Sequence, residues 1–202
     1  MVKIITVAHQ KGGVGKSTLA INLALCFKEQ LSVILVDTDL QGSLYHSRED
    51  FADLTIIGTD QVDDLTALSC DLIVVDTPPY LSSRLPDIFR VSDFVLVPTK
   101  AGFFDLMAVR GTLALISDAQ QKFPQIKAGI VRNMVKPRSG LTRDISDILT
   151  ELGAPLLNTL IHDRVSIART SITKGILSSS DEKAKQEIMS LAEEIVQMII
   201  SD

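Results

Sequence analysis

The sequence feature that most constrains the fold is a glycine-rich turn near the start of the chain. The string Lys11-Gly-Gly-Val-Gly-Lys-Ser-Thr18 follows an apolar, β-branched run at Lys3–Ala8. Between Ala20 and Phe27, apolar residues then recur at the spacing of one helix face. An apolar run, a glycine turn and an amphipathic helix in this order predict a strand–loop–helix unit. We therefore expect a sheet that is covered by helices.

The rest of the chain repeats this alternation of short apolar runs and helical patterns. Such alternation is typical of parallel strands joined by crossover helices, and runs that are apolar throughout suit a sheet covered on both faces. We predict an α/β fold with a doubly wound, mostly parallel sheet flanked by helices, in a single domain spanning residues 1–202. The predicted strands are Lys3–Ala8, Val33–Asp37, Leu54–Ile57, Leu72–Asp76, Phe94–Pro98, Ala128–Asn133 and Leu156–Ile161.

Composition agrees with one ordinary globular domain. The chain has 202 residues, of which 46% are hydrophobic and 22% charged, and no apolar run approaches the roughly 20 residues that cross a bilayer. Cys26 and Cys70 lie far apart, so we expect two packed thiols in a reducing compartment. The three histidines are too scattered for a zinc site. A formal charge of −5 argues against a uniformly basic nucleic-acid binder, so any DNA contact must come from a local patch.

The glycine turn is predicted to bind the phosphates of ATP together with Mg²⁺. Glycines let backbone N–H groups converge on phosphate oxygens, and the helix N-terminus adds partial positive charge. Lys16 should reach the β- and γ-phosphates, Ser17 should place its hydroxyl on Mg²⁺, and Thr18 is a weaker candidate for the α-phosphate. The predicted nucleotide-binding residues of the loop are Gly12, Gly13, Val14, Gly15, Lys16, Ser17 and Thr18.

The loop departs from the general pattern G-x-x-x-x-G-K-[ST] at one position. Gln10 stands where that pattern requires glycine, and Lys11 follows it. The resulting pattern K-G-G-x-G-K-[ST] resembles the deviant phosphate loop of the ParA/MinD family of ATPases. The resemblance implies that Lys11 crosses the interface of a nucleotide-sandwiched dimer and contacts the partner's phosphates. The alternative for Lys11 is a solvated lysine at the loop entrance.

Two further acidic motifs are similar to motifs of the same family. The string Asp37-Thr-Asp-Leu-Gln-Gly42 follows an apolar run, and the resemblance implies that Asp39 orients or activates the attacking water while Asp37 supports the Mg²⁺ shell and the switch region. Asp39 could instead be a cap or a solvated carboxylate. Asp76 ends another apolar run and begins Asp-Thr-Pro-Pro, which makes it the Walker B candidate for Mg²⁺, usually through water.

The resemblance extends over essentially the whole chain and is closest to short, plasmid-partition (ParF-like) ParA proteins. Asn133 lies in a segment similar to the strand and loop that approach the adenine, and we predict that it contacts the base. The resemblance implies an ATPase that forms a homodimer on ATP binding, binds DNA non-specifically and is released when a ParB-like centromere-binding or adaptor protein stimulates hydrolysis. Turnover without the partner should be slow. The implied location is cytoplasmic and nucleoid-associated.

Surface charges bear on whether the chain binds a membrane or DNA, as different members of this family do. The last predicted helix carries Glu187, Glu193 and Glu194 opposite its apolar stripe, which disfavours stable membrane association. Basic residues in the second half of the chain could instead hold the DNA backbone, although they could also be scattered solvated charges or ion pairs. The DNA-binding candidates are Lys136, Arg138, Arg164, Arg169 and Lys174.

Two other functions share the phosphate loop. One is a metabolic P-loop ligase or kinase of the dethiobiotin synthetase type, which would turn over a small substrate without DNA. The other is a ParA-like positioning or regulatory ATPase whose cargo is a protein assembly. DNA stimulation separates the first from a partitioning ATPase, whereas the second differs from it only in cargo.

Overall fold

The computed structural model describes residues 2–39, 43–59, 62–80, 82–100, 102–136, 147–170 and 174–201. Seven strands form one sheet in the order β3-β2-β4-β1-β5-β6-β7, and all neighbouring pairs are parallel. Each strand lies within two residues of its predicted bounds. The strands are β1 (Lys3–Val7), β2 (Val33–Asp37), β3 (Thr55–Gly58), β4 (Leu72–Asp76), β5 (Phe94–Thr99), β6 (Lys127–Val135) and β7 (Leu156–His162).

Helices connect the strands and cover both faces of the sheet. The α-helices are α1 (Lys16–Lys28), α2 (Ser43–His46), α3 (Leu85–Val91), α4 (Phe103–Lys122), α5 (described at residues 147–150), α6 (Val165–Ala168) and α7 (Glu182–Ile200). Short 3-10 helices span Arg48–Phe51, Val62–Ala67 and Ile176–Ser178. The predicted α/β, doubly wound architecture is therefore confirmed. Among the described helices, none combines the length and the apolar character that spanning a membrane requires.

The buried side chains divide between the two faces because neighbouring residues of a strand point in opposite directions. In β1, Ile5 and Val7 pack with α1 and α7 on one face, whereas Ile4 joins a cluster with α3 on the other. A third cluster packs α3, α4 and α5 against β5 and β6, on the same side of the sheet as α3. The strands are apolar throughout because both faces are buried.

The sheet order brings the acidic strand ends next to the phosphate loop. β1 lies in the middle of the sheet, and Val7 at its end pairs with Asp76 at the end of β4. Asp76 in turn pairs with Asp37 at the end of β2. The carboxyl ends of three adjacent parallel strands therefore meet at one edge, where open α/β sheets build their ligand sites.

Candidate functional site

Residues 8–15 form the loop between β1 and α1, and two of its glycines adopt backbone angles that favour glycine. Gly13 has φ of 69° and Gly15 has φ of 90°, in the left-handed region that side chains disfavour. A Cβ atom at Gly15 would also collide with the side-chain amide of Asn133. The loop can therefore approach its neighbours closely only because glycine stands at this position.

The Lys16 side chain is buried beneath the loop. Its Nζ donates to the backbone carbonyl of Lys11 at 3.3 Å. Burial lowers the pKa of Lys16, whereas the charges of Asp76 and Asp39 oppose that shift. The ammonium is thus held between the loop backbone and two carboxylates, a position from which it can meet phosphate oxygens.

Asp76 and Ser17 are brought together at the end of β4, and their arrangement fits Mg²⁺. Burial raises the pKa of Asp76 to about 7; a hydrogen bond from the Ser17 hydroxyl opposes this shift, and the charge of Asp37 adds to it. Within the described residues, Oδ1 of Asp76 is buried without a hydrogen-bond partner. A carboxylate oxygen and a hydroxyl oxygen are ligands that Mg²⁺ accepts, and a bound cation would compensate the buried acid.

The two carboxylates after β2 have different surroundings. Asp37 is buried and accepts hydrogen bonds from the backbone N–H groups of Asp39 (3.0 Å), Leu44 (2.9 Å) and Tyr45 (3.0 Å). Those bonds fix the start of α2 relative to the sheet. Asp39 is only partly buried and lines the cleft beside the loop. Of the two acids, Asp39 is placed to meet a nucleotide or a water molecule, whereas Asp37 orients the segment that carries it.

The entrance of the loop is bound to α4. Lys11 Nζ forms an ion pair with Asp105 Oδ1 at 2.7 Å, and its side chain remains 41% exposed. The backbone N–H of Gln10 donates to the Thr112 hydroxyl at 3.4 Å, and its side chain lies against Gly111. Gln10, which departs from the general loop pattern, therefore packs on α4 instead of forming a glycine turn.

His9 is a buried, neutral part of this entrance. Its Nδ1 accepts a hydrogen bond from the backbone N–H of Lys11 at 3.0 Å. Burial and the charge of Lys16 lower the pKa of His9 to about 4. Within the described residues its Nε2 has no hydrogen-bond partner. His9 thus packs as a neutral side chain between the loop entrance and α4.

Asn133 supports the loop from β6. Its Nδ2 donates to the Val14 carbonyl at 2.7 Å, and its Oδ1 accepts from the backbone N–H of Met134 at 2.9 Å. Met134 has a positive φ of 54° and lies where the pairing of β6 with β7 shifts register. Asn133 lies beside the loop as expected, but its amide is used to hold Val14 and Gly15. Its predicted contact with the base stays a prediction.

An open cleft of about 320 Å³ runs along the loop. Hydrogen bonds join the strand ends beside the cleft. The Thr38 hydroxyl, after β2, donates to the Asp76 carbonyl of β4 at 2.7 Å, and the Thr77 hydroxyl, after β4, donates to the Val7 carbonyl of β1 at 2.9 Å. The buried Val14 supplies its carbonyl to Asn133, as described above. The cleft is lined by Gly12, Gly13, Gly15, Lys16, Ser17, Thr18, Asp39, Thr77, Pro79 and Met134.

Comparison with known proteins places this geometry in a family. Residues 5–175 match the model of the CobQ/CobB/MinD/ParA nucleotide binding domain. The chain belongs to this family. It is similar to the Maintenance of carboxysome distribution protein A of Halothiobacillus neapolitanus, with 31% identity covering 95% of both chains. It is also similar to the chromosome-partitioning ATPase Soj of Thermus thermophilus, with 28% identity covering 83% of this chain and 84% of the relative.

A solved structure of the family shows the same fold with nucleotide. Cobyrinic acid a,c-diamide synthase from Mycobacterium smegmatis, with bound ADP and magnesium, superposes with a TM-score of 0.77 at 21% identity, covering 98% of this chain and 95% of that one. At this identity the likeness shows the fold alone. The CobQ/CobB/MinD/ParA fold therefore carries both partitioning proteins and biosynthetic enzymes.

The DNA-binding candidates of this family member have different surroundings. Lys136, Arg169 and Lys174 are exposed. Arg164 is not a free surface cation, because its Nη2 lies 2.7 Å from Glu187 Oε1 and its Nη1 lies 3.9 Å from Asp181 Oδ2. Arg138 lies outside the described residues. Arg164 thus forms ion pairs, as the alternative for these residues allowed, and its contact with DNA stays a prediction.

Sequence patterns missed two charged groups at the loop. Asp105 holds Lys11, although it stands 94 residues away in a helix with no acidic motif around it. Lys100 follows β5, and its Nζ lies 3.9 Å from where a Cβ atom of Gly13 would be. Only the family's topology, which places β5 beside β1, could have pointed to either residue.

Proposed function

We propose that this chain is an ATP-driven positioning ATPase. In this proposal ATP and Mg²⁺ join two copies into a sandwich dimer, the dimer binds a large cargo or its track, and partner-stimulated hydrolysis releases it. The observation that carries the proposal is the position of Lys11. Its ammonium is held at the mouth of the site by Asp105 and its side chain is 41% exposed, whereas the Lys16 side chain is buried beneath the loop.

The proposed roles follow from the geometry of the site. Lys16 and the loop amides would hold the phosphates, and Ser17 and Asp76 would hold Mg²⁺. When bound, Mg²⁺ would neutralise charge that develops on the transferred phosphoryl group. Asp39 would orient the attacking water from the other wall of the cleft. Lys11 would leave Asp105 and complete the partner's site, much as an arginine supplied by another subunit does.

Slow unstimulated turnover is part of this proposal. In the isolated chain the second lysine is bound to Asp105, so the charge that it would supply to a partner's phosphates is missing until dimerisation. A fast ATPase in the purified protein without partner or DNA would favour the metabolic class instead.

Two cargoes are supported by separate observations. The similarity to the carboxysome distribution protein covers 95% of both chains and supports a protein assembly as the cargo. The similarity to a chromosome-partitioning ATPase and the exposed Lys136 and Lys174 support DNA, either as cargo or as the track on the nucleoid. Both similarities are accommodated if the ATP-bound dimer binds nucleoid DNA non-specifically and a separate adaptor protein links it to the protein assembly.

Sedimentation velocity of the whole chain with ATP, ADP or no nucleotide, each with Mg²⁺, tests the proposal. We expect a dimer with ATP only, and a monomer with ATP in Lys11→Ala although that variant still binds nucleotide. Lys122→Ala, an exposed lysine at the end of α4, is the matched control and should dimerise normally. A Lys11→Ala variant that dimerises and hydrolyses like the wild type would remove the proposed role of Lys11 in the partner's site.

DNA retention measured under the same conditions separates the cargoes. If DNA is bound, wild-type retention should require ATP and should fall steeply with salt, and Lys136→Ala/Lys174→Ala should weaken it without affecting nucleotide binding. Retention that is equal in all nucleotide states, or unchanged in the double variant, would exclude this basic surface as an ATP-gated DNA site.

A further inference from the structure

An apolar groove lies on the sheet face that carries α1 and α7. It has a volume of about 780 Å³ and runs between the C-terminal end of α1 and the middle of α7. Cys26, on its α1 wall, follows Lys16 by ten residues, which places the groove about 15 Å along the helix from the phosphate loop. The groove is therefore separate from the nucleotide site.

Large apolar side chains converge on the groove and remain accessible. Leu31, Met189 and Val196 are 41%, 42% and 40% exposed, and all three line it. Phe27 and Leu177, which are partly buried in the core, extend the same apolar surface. A contiguous apolar groove bordered by polar side chains is a common mark of a protein-binding surface.

Two carboxylates give the groove a charge. Glu29 on the α1 side and Glu193 on the α7 side line it, and both are exposed. Both carboxylates lie near the Cys26 thiol. Burial raises the pKa of that thiol most, and the charges of Glu29 and Glu193 raise it further. Within the described part of the chain neither carboxylate forms an ion pair, and the described lining contains no lysine or arginine.

This charge decides between the possible occupants. A second copy of the chain would bring the same acidic residues to the groove, and an anionic lipid surface would be repelled by them. A helix with one apolar face and flanking lysines or arginines satisfies both features at once. We propose that the groove docks a basic amphipathic helix of a partner protein.

The groove also sets the length and pattern of that helix. Met189 and Val196 are seven residues apart on α7, a distance of about 10 Å. A bound helix would therefore present about two turns, with apolar residues at i, i+3 or i+4, and i+7, and basic residues opposite Glu29 and Glu193. Because the groove shares no residue with the cleft at the phosphate loop, the proposal does not rest on the function proposed above.

Fluorescence anisotropy with the whole chain and a labelled 18-residue synthetic peptide tests the inference. The probe carries leucines at the spacing just given and lysines or arginines elsewhere; a scrambled peptide of the same composition and a glutamate-substituted version are the controls. We expect the basic helical probe alone to bind. Glu29→Lys/Glu193→Lys and Met189→Asp should each weaken binding about tenfold or more, whereas Asp118→Lys, an exposed charge reversal on α4, should not.

Several outcomes would overturn the inference. The scrambled probe could bind equally well, or the charge reversal could leave the affinity unchanged. If the wild type self-associates and Met189→Asp abolishes this, the groove binds a second copy of the chain. If the wild type binds phosphatidylserine vesicles and Met189→Asp abolishes this, the groove binds a membrane. Because the substituted side chains are exposed, each variant should retain wild-type Mg–ATP binding, which confirms that lost affinity is not lost folding.

Discussion

At the residue scale, the site depends on positions where the backbone leaves no room for substitution. Gly15 combines a φ of 90° with the side-chain amide of Asn133 at the place where a Cβ atom would stand. Gly12 has neither constraint, since a Cβ atom there would meet only Pro79 Cβ at an ordinary 3.6 Å. Two glycines of the same loop are thus expected to differ in their tolerance of alanine.

Gly15→Ala should lower the free energy of unfolding by about 1–3 kcal/mol, because a non-glycine residue in a left-handed conformation is strained and Asn133 must move. It should also weaken Mg–ATP binding, since the amide of Asn133 holds Val14. Urea unfolding and nucleotide titration measure the two effects. Gly12→Ala is the matched control for stability and should cost clearly less; equal losses in the two variants would contradict the argument.

His9 predicts a pH dependence of stability. The pKa of His9 is lowered to about 4 in the folded chain from an ordinary value of 6.5, so between these values the unfolded chain takes up a proton that the folded chain does not. Stability from this residue is therefore complete above pH 6.5 and is lost as the pH falls toward 4, by at most about 3 kcal/mol.

The measurement compares wild type with His9→Asn between pH 4 and 8. Asparagine removes the titration and can still accept the hydrogen bond from the Lys11 N–H, so the variant should lose less stability on acidification. Parallel pH profiles for the two proteins would show that His9 is not held neutral by folding.

At the scale of elements, the Glu187 carboxylate of α7 joins that helix to the end of β7. Glu187 accepts from the His162 N–H at 3.0 Å and from Arg164 Nη2 at 2.7 Å. Burial acts to raise the pKa of Glu187, but the hydrogen bonds from Arg164 and His162 outweigh it, and the net shift is downward. One residue of α7 therefore orders both the end of β7 and the segment that leads into α6.

Glu187→Gln should lower the free energy of unfolding by about 1–2 kcal/mol, because hydrogen bonds to a charged acceptor are replaced by weaker neutral ones. The loss should be present near neutral pH and should diminish as the pH falls through the pKa of the wild-type carboxylate, which folding lowers from its ordinary value. Glu193→Gln, on an exposed face of the same helix, is the control and should change stability by less than about 0.5 kcal/mol. Similar losses for both variants would show that the Arg164 ion pair contributes little.

At the scale of the whole molecule, both cores share one sheet. Side chains of each strand alternate between the core under α1 and α7 and the core under α3 and α4. Because the same strands supply both cores, we expect the two cores to form together. Calorimetry of the nucleotide-free chain should therefore show one unfolding transition whose calorimetric and van't Hoff enthalpies agree. Two separable transitions would contradict the prediction of a single domain over residues 1–202.

Much of the fold could be predicted because its signals are local. The apolar runs gave strand positions within two residues, and the order of the loop, Asp37–Asp39 and Asp76 motifs indicated the family that the comparison confirmed. The contacts around those motifs were not predictable. The sequence did not show that Arg164, a DNA-binding candidate, pairs with Glu187, or that Asn133, a base-contact candidate, bonds to the Val14 carbonyl. The DNA and base contacts themselves stay predictions.

The sequence by itself determined the strand–loop–helix unit, the glycine positions and the parallel α/β class, because periodicity and backbone freedom belong to neighbouring residues. Only the tertiary structure decided which polar groups meet. Lys11 and Asp105 are 94 residues apart, and Asn133 and Val14 are 119 apart. The strand order β4-β1-β5-β6 makes them neighbours. A contact between residues so far apart in the chain depends on topology and packing, and the residues next to either partner in the sequence do not predict it.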